Sequence, residues 1–387
     1  MRITYFMDTF RLGGAERFLG DLAAGVARVG HKVTVISPQA DLLELVRTIS
    51  PEPVLVQTKV DVWAARSRPA RIGSFARSLP ELPKALRRAR GDVLHVNNGG
   101  YPGSAPCLVA ATVGRLTGSA KTVLSVHNPA WARSALRGPL QAAGDNLIWR
   151  AVDSVHATSA FVEESLVARR GMPRSLCLHI PYGVEPPAAP ADQVSALRSR
   201  LAPERGLLLG LVAATGEPHK GHVLLVEALA RTEGINAVVV GPHPGDSFVA
   251  EIERLGLTDR VTLVGPVAAG EVGPYLHAVD LLVVPSTAYE SLPLVILEAM
   301  AAGKPVFASR LSGIPEAVGD GTTGRLFEPG AVGELAALLD DAGRDIAGLA
   351  LMGAAGRERW IARFSTGAMV ASMLTLYEDL LADGVRG

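Results

Sequence analysis

The sequence predicts an α/β fold built as two doubly wound domains, and three observations predict it. Apolar strand-like runs alternate with segments of helical spacing along the chain. The alternation pauses at a Pro- and Ala-rich stretch, IPYGVEPPAAPADQ, from Ile180 to Gln193, and then restarts. A chain of 387 residues is long enough for two cores. The implied division is residues 1–183, a linker at 184–206, a second domain at 207–364 and a tail at 365–387.

The elements read in order. RITYFM is an apolar first strand and DTFRLGGAE a loop. ERFLGDLAAGVARVG is a helix in which Phe18, Leu22, Val26 and Val29 share one side, and Gly30 ends it. HKVTVIS is the second strand. A strand, a helix and a strand in this order imply a parallel sheet covered by helices. DVLHVN, TVLSVHN and DSVHATS continue it. The second half repeats the rhythm with LLLGLVAAT, INAVVVG, VTLVGPV, DLLVVPS and PVFAS as strands, and GHVLLVEALA and LPLVILEAMAAG as helices. The stretch from Arg357 to Leu381 is helical. Open parallel sheets bind ligands beyond the carboxyl ends of their strands, and the polar clusters discussed below each follow a strand.

Composition narrows the class. Apolar residues make up 48% and aromatic residues 5%, which suits a water-soluble α/β chain. No apolar run reaches the roughly 18–20 residues of a membrane span, and MRITYFMDTF is too short and polar for a signal peptide. Cys107 and Cys177 stand far apart without metal-ligand spacing. A cytoplasmic location is the expectation. The net charge is zero, but residues 1–185 carry 23 Lys/Arg and 14 Asp/Glu, whereas residues 186–387 carry 15 and 24. The basic excess is densest from Arg66 to Arg90, beside Trp63. Its readings stand open: a solvated helix face, or a surface for an anionic acceptor or for anionic lipid in a peripheral contact at the inner face of a membrane. No recognition motif for nucleic acid accompanies the charge, so nucleic acid is not an expected partner.

Glu290 and Glu298 stand eight residues apart on VDLLVVPSTAYESLPLVILEAMAAG. A helix start offers backbone N–H groups to an anion such as a diphosphate, and carboxylates on either side accept hydrogen bonds from sugar hydroxyls. Together these features read as a nucleotide-sugar site. The run AYESLPLVILEAMAAGKP resembles the E-x7-E motif of the retaining glycosyltransferases of family 4, which have the GT-B fold. The likeness extends from FRLGGAER to the last helices.

That resemblance implies two Rossmann-like domains facing a central cleft, with acceptor on the N-terminal side and donor on the C-terminal side. The final helix would cross back to the N-terminal domain. Glu298 would accept hydrogen bonds from the ribose hydroxyls, and Glu290 would hold hydroxyls of the transferred sugar. The backbone near Ser291 and Leu292 would hold the diphosphate. Lys220, in ATGEPHKGHVLL, matches a lysine that binds the donor phosphates. The family commonly has an arginine about six residues earlier, where this chain has Ala214 or Thr215. Arg310 is the candidate substitute. His127 matches a histidine that lies against the donor sugar near the reacting carbon, and Gly14, with Gly13, matches a loop near the donor phosphate. A second departure is Tyr182, where the family often has asparagine.

His95, Asn97 and Asn98 in HVNNGGYPG form a polar cluster after a strand, and either line the acceptor cleft or close a hydrogen-bonded turn. The sequence holds no D-x-D and no His/Cys cluster of metal spacing, so metal-independent chemistry is expected. The only co-substrate expected besides the acceptor is a nucleoside-diphosphate sugar. The reading is therefore retaining transfer of a hexose-type sugar, with a UDP-sugar favoured, to a hydroxyl of a glycan, a lipid-linked molecule or a small metabolite. Two alternatives stand beside it: a sugar-nucleotide epimerase on the same scaffold, and a non-catalytic nucleotide-binding partner protein.

Overall fold

The computed structural model describes residues 1–9, 13–50, 53–58, 80–201, 206–213 and 215–383. Ala214, and residues 66–79 of the basic stretch with Trp63, lie outside the described residues; Arg87, Arg88 and Arg90 within it are exposed. The chain forms two compact units, Met1–Gly183 with Thr366–Gly387, and Val184–Ser365.

The first unit is built on a seven-stranded parallel sheet. Its strands are β1 Arg2–Phe6, β2 Lys32–Ser37, β3 Val54–Gln57, β4 Val93–Asn98, β5 Lys121–Val126, β6 Ser154–Ala157 and β7 Cys177–His179. Their order is β3-β2-β1-β4-β5-β6-β7. The order reverses between β1 and β4, which opens a crevice beyond the carboxyl ends of those two strands. One sheet face is apolar, with Phe6, Ile36, Leu94, Val96, Leu124 and Val126 in one cluster. The other face carries Tyr5, His95, Asn97, Ser125 and His156, all buried. The helix Gly14–Arg28 covers this polar face, with Phe18 and His156 stacked at 5.4 Å between ring centres. The helix ends where Gly30 takes a positive φ of 89° and its N–H reaches the carbonyl of Ala27. The last helix, Thr366–Asp383, packs beside it. A Cβ on Gly25 would stand 2.4 Å from Cγ2 of Val370, so the two helices touch backbone to side chain.

The second unit has six parallel strands: β8 Leu207–Val212, β9 Ile235–Val240, β10 Val261–Gly265, β11 Leu281–Val284, β12 Val306–Ser309 and β13 Gly324–Phe327. Their order is β10-β9-β8-β11-β12-β13, so the reversal falls between β8 and β11. Both faces are covered. Leu209, Leu211, Val239, Val283, Phe307 and Phe327 pack with Leu225, Leu229, Phe248 and Leu339 from the helices. That double burial explains the nearly unbroken apolar runs of these strands.

Two features differ from the sequence expectation. The edge strands β3, β7 and β13, of three or four residues each, were not expected. The segment read as a linker holds the helix Ala191–Leu201, which packs on the helix Val272–Ala278 of the second unit, and Arg198 bonds Asp280 at 2.8 Å. Pro and Ala there mark a turn and a helix start rather than a free tether.

Candidate active site

In the second unit the crevice lies between the loops that follow β8 and β11. After β8 the chain makes a short 3-10 turn, Pro218–Lys220, and Gly221 reverses it with a φ of 77°. A Cβ on Gly221 would stand 1.8 Å from the carbonyl oxygen of Pro285, just past β11. Only glycine lets the two loops approach this closely. The N–H of Thr287 donates to the carbonyl of His219 at 2.8 Å and fastens the loops together. Gly221→Ala is expected to destabilise the protein by about 2–4 kcal/mol. Thermal melting checks this, and an unchanged melting temperature would show that the close approach is not required.

This closure places Lys220 against Glu290. The Nζ of Lys220 lies 2.6 Å from Oε1 of Glu290, and the hydroxyl of Ser286 donates to the same oxygen at 3.0 Å. The side chains are 25% and 13% exposed, so the pair is sheltered yet open to a ligand. The backbone carbonyl of Glu290 accepts the N–H of Gly313. The helix Leu294–Ala301 begins after Pro293, which sits at the cap position and offers no side-chain cap. The N–H of Ile296 donates to the carbonyl of Pro293 at 3.1 Å, and those of Leu294 and Val295 stand ahead of it at the helix start, the arrangement that suits an anion. Leu292 is buried and Ser291 half-buried just before this start. Glu298 lies on the half-buried side of the helix with Leu294 and Val295, while Ile296, Leu297 and Met300 face the core.

Arg310 is committed elsewhere. It follows β12 and pairs with Asp320 at 2.6 Å and Glu328 at 3.5 Å, so it does not complete a cationic clamp with Lys220 here. Thr215 donates its hydroxyl to Glu217 at 3.2 Å.

In the first unit the structure corrects several expectations. His95, Asn97 and Asn98 belong to β4 itself, not to a loop after it, and all three are buried. The ring of His95 lies 2.5 Å from both the hydroxyl of Tyr377 and that of Ser125. Asn98 donates to the carbonyl of Pro102 and accepts the N–H of Ser104, so it shapes the turn after β4. The two residues are spent on internal hydrogen bonds, because a central strand covered on both faces must satisfy its polar groups internally. Asn97 reaches two places: its amide donates to the carbonyl of Ala15 at 2.9 Å, and its oxygen meets Nε2 of His127 at 2.5 Å.

His127 follows β5 and is 1% exposed, so its ring is not presented to a ligand in this structure. Because the Asn97 amide nitrogen faces Ala15, its oxygen takes the proton of Nε2, and Nδ1 of His127 accepts from the hydroxyl of Tyr182 at 3.0 Å. Tyr182 also stacks on the imidazole at 5.5 Å between centres. Burial, and secondarily the neighbouring His156 and His95, push the His127 pKa well below its ordinary value and keep the ring neutral. This assigns Tyr182 a role that the sequence left open: it fixes the tautomer and plane of His127.

Sequence reasoning missed two buried acids at the first unit's crevice. Asp8, directly after β1, accepts the hydroxyl of Ser104 at 2.6 Å. Glu16, in the first turn of the helix that Gly14 opens, accepts the hydroxyl of Thr9 at 2.6 Å. Their signal was position alone: Asp8 lies just past the first strand and Glu16 follows the paired glycines. Among the described residues no group of three or more His, Cys, Asp and Glu could hold a metal ion.

Two doubly wound units with crevices at their switch points, one holding a sheltered Lys–Glu pair at a helix start, define a GT-B-type protein. Comparison with known proteins agrees. The family model "Glycosyl transferases group 1" matches residues 198–359, and "Glycosyltransferase Family 4" matches residues 12–186. The chain belongs to the family 4 glycosyltransferases. It is 30% identical over 233 residues to the D-inositol 3-phosphate glycosyltransferase of Mycobacterium sp. (strain JLS), covering 58% of this chain and 53% of that one. The match thus spans about half the length of that relative. It is 29% identical over 387 residues to the 2-deoxystreptamine glucosyltransferase of Streptomyces kanamyceticus, covering 93% and 97%. The fold is shared with Anabaena Alr3699/HepE in complex with UDP, at a TM-score of 0.79 and 23% identity, covering 98% of this chain and 100% of that one.

Proposed function

We propose that this protein transfers a hexose-type sugar from a nucleoside-diphosphate sugar to an acceptor hydroxyl, with retention of anomeric configuration and without a metal ion. The observation that carries this reading is the Lys220–Glu290 pair beside the helix start at Leu294. A donor diphosphate entering the crevice takes Lys220 as its counter-ion. Glu290 is then released to accept hydrogen bonds from hydroxyls of the sugar. The bond from the anomeric carbon to the phosphate oxygen breaks, and a bond to the acceptor oxygen forms on the same face. The acceptor proton passes to the departing phosphate oxygen. Lys220 and the helix N–H groups stabilise the charge that gathers on the diphosphate.

A UDP-sugar is the first donor to test, since the Anabaena protein that shares the fold was solved with UDP and with UDP-glucose. The relatives named above are named for D-inositol 3-phosphate and 2-deoxystreptamine, so a small polyhydroxylated ring is the acceptor to offer first. Thermal melting against UDP, GDP, ADP and dTDP tests the donor half. A ligand present at 100 times its dissociation constant stabilises by about 2.7 kcal/mol, which a melt detects. One nucleotide is expected to raise the melting temperature, and Glu298→Ala is expected to weaken it about tenfold or more through the lost ribose contact. A melt indifferent to all four nucleotides would sink the reading.

A further inference from the structure

The helix Gly138–Ala151 is apolar on two sides. Inward, Ile148 and Trp149 join the core, and the buried Asp145 accepts from the Tyr101 hydroxyl and from Arg133, both at 2.9 Å. Outward, Leu140, Ala143, Gly144 and Leu147 are all exposed, at the i, i+3, i+4, i+7 spacing of a single face. Leu140 is 75% and Leu147 58% exposed, and the segment leading into the helix adds Leu136 at 95% and Trp131 at 70%. A surface helix of a soluble unit ordinarily turns polar residues outward. Such an exposed apolar stripe is a candidate contact surface.

We propose that this face docks the protein on an anionic lipid surface. The charge around the stripe selects the occupant. Arg137 and Arg150 are exposed at its two ends, and the only acid between Trp131 and Ala151 is the buried Asp145. The unit that carries the stripe has 24 Lys/Arg against 16 Asp/Glu. Leucines and a tryptophan flanked by arginines are the composition that lies in a membrane interface, where the apolar groups enter the acyl boundary and the cations meet phosphate. A second copy of the same face would bring arginine towards arginine with no carboxylate between them. The surface is held in place rather than frayed: the N–H of Trp131 donates to the carbonyl of Tyr101 at 3.0 Å, and Arg133 bonds the carbonyl of Arg170. The segment begins four residues after His127, at the carboxyl end of β5, so lipid bound there lies on the rim of the sheet that carries the first unit's crevice.

Co-sedimentation with vesicles tests this, and it is read on lipid alone, independently of any sugar transfer. The full chain is expected to sediment with vesicles of phosphatidylcholine and phosphatidylglycerol in equal amounts, and to stay in solution with phosphatidylcholine alone. The double variant Leu140→Glu/Leu147→Glu is expected to partition more than about tenfold less, with an unchanged melting temperature because both side chains are exposed. Arg137→Glu/Arg150→Glu is expected to lose binding to the anionic vesicles in the same way. A wild-type chain that stays in the supernatant overturns the proposal. So does binding that the leucine variant leaves intact, and so does a dimer in solution that the leucine variant splits.

Discussion

Lys220→Ala is expected to lower sugar transfer by about 10²–10³-fold without unfolding the protein. The reason lies in what surrounds it. The place where the family often has a second cation is Ala214 or Thr215 here, and Arg310 is held by Asp320 and Glu328. On the proposed mechanism Lys220 would therefore neutralise the leaving diphosphate largely alone among side chains, with the helix N–H groups beside it. Glu290→Ala is expected to lose transfer as well, because Glu290, 2.6 Å from Lys220, is the group that takes the sugar hydroxyls on the proposed mechanism. The two substitutions act on one unit of chemistry, so the double variant should be far less impaired than the product of the single losses. Initial rates with the preferred nucleotide sugar measure all three. Lys220→Ala turning over at the wild-type rate would remove the residue from the mechanism.

Acid is expected to destabilise the first unit. Three histidines, His95, His127 and His156, are buried on one face of its sheet, and burial lowers the pKa of each. For His156 the value falls from 6.5 to about 4. All three are neutral in the fold. Above pH 6.5 the unfolded chain is also neutral at these positions, and no penalty arises. As the pH falls below 6.5 the unfolded chain binds protons that the folded chain refuses. Stability is therefore lost progressively until the folded value near 4 is reached. His156 alone contributes on the order of 3 kcal/mol to that loss, at about 1.4 kcal/mol per unit, and His95 and His127 add to it in the same direction. Urea midpoints at a series of pH values check this, as do imidazole proton shifts. A midpoint that holds steady from pH 7.5 to pH 5, or rings that titrate near 6.5, would contradict the account.

How far the site was legible depended on where each residue's partners sit in sequence. Glu290 and Glu298 were visible because one loop and one helix carry both, and Lys220 because its place in ATGEPHKGHVLL matches a lysine that binds donor phosphates in the family. Their meeting was not visible: 70 residues separate Lys220 from Glu290, and the contact exists because Gly221 admits the carbonyl of Pro285. His95, Asn97 and Asn98 misled for the opposite reason. A polar cluster at a strand end suggests a cleft lining or a turn, yet here it lies within a central strand whose polar groups are answered by Tyr377, Ser125, Ala15, His127 and Ser104. Tyr182 looked like an unexplained departure until its hydroxyl was found on His127.

The sequence by itself determined the class of fold, the alternation of strands and helices, the division into two units and the loop and helix that bear the two glutamates. These follow from periodicity and from local chemistry, which a short window contains. The tertiary structure alone decided strand order, and with it the two switch points where β1 meets β4 and β8 meets β11. It decided that Lys220 is paired, that Arg310 is not available to it, that His127 is a neutral ring locked by Asn97 and Tyr182, and that an apolar stripe faces outward between Arg137 and Arg150. Each of these is a matter of which distant side chains share a burial environment or fail to, and hydrogen bonding and desolvation act through space without regard to separation along the chain.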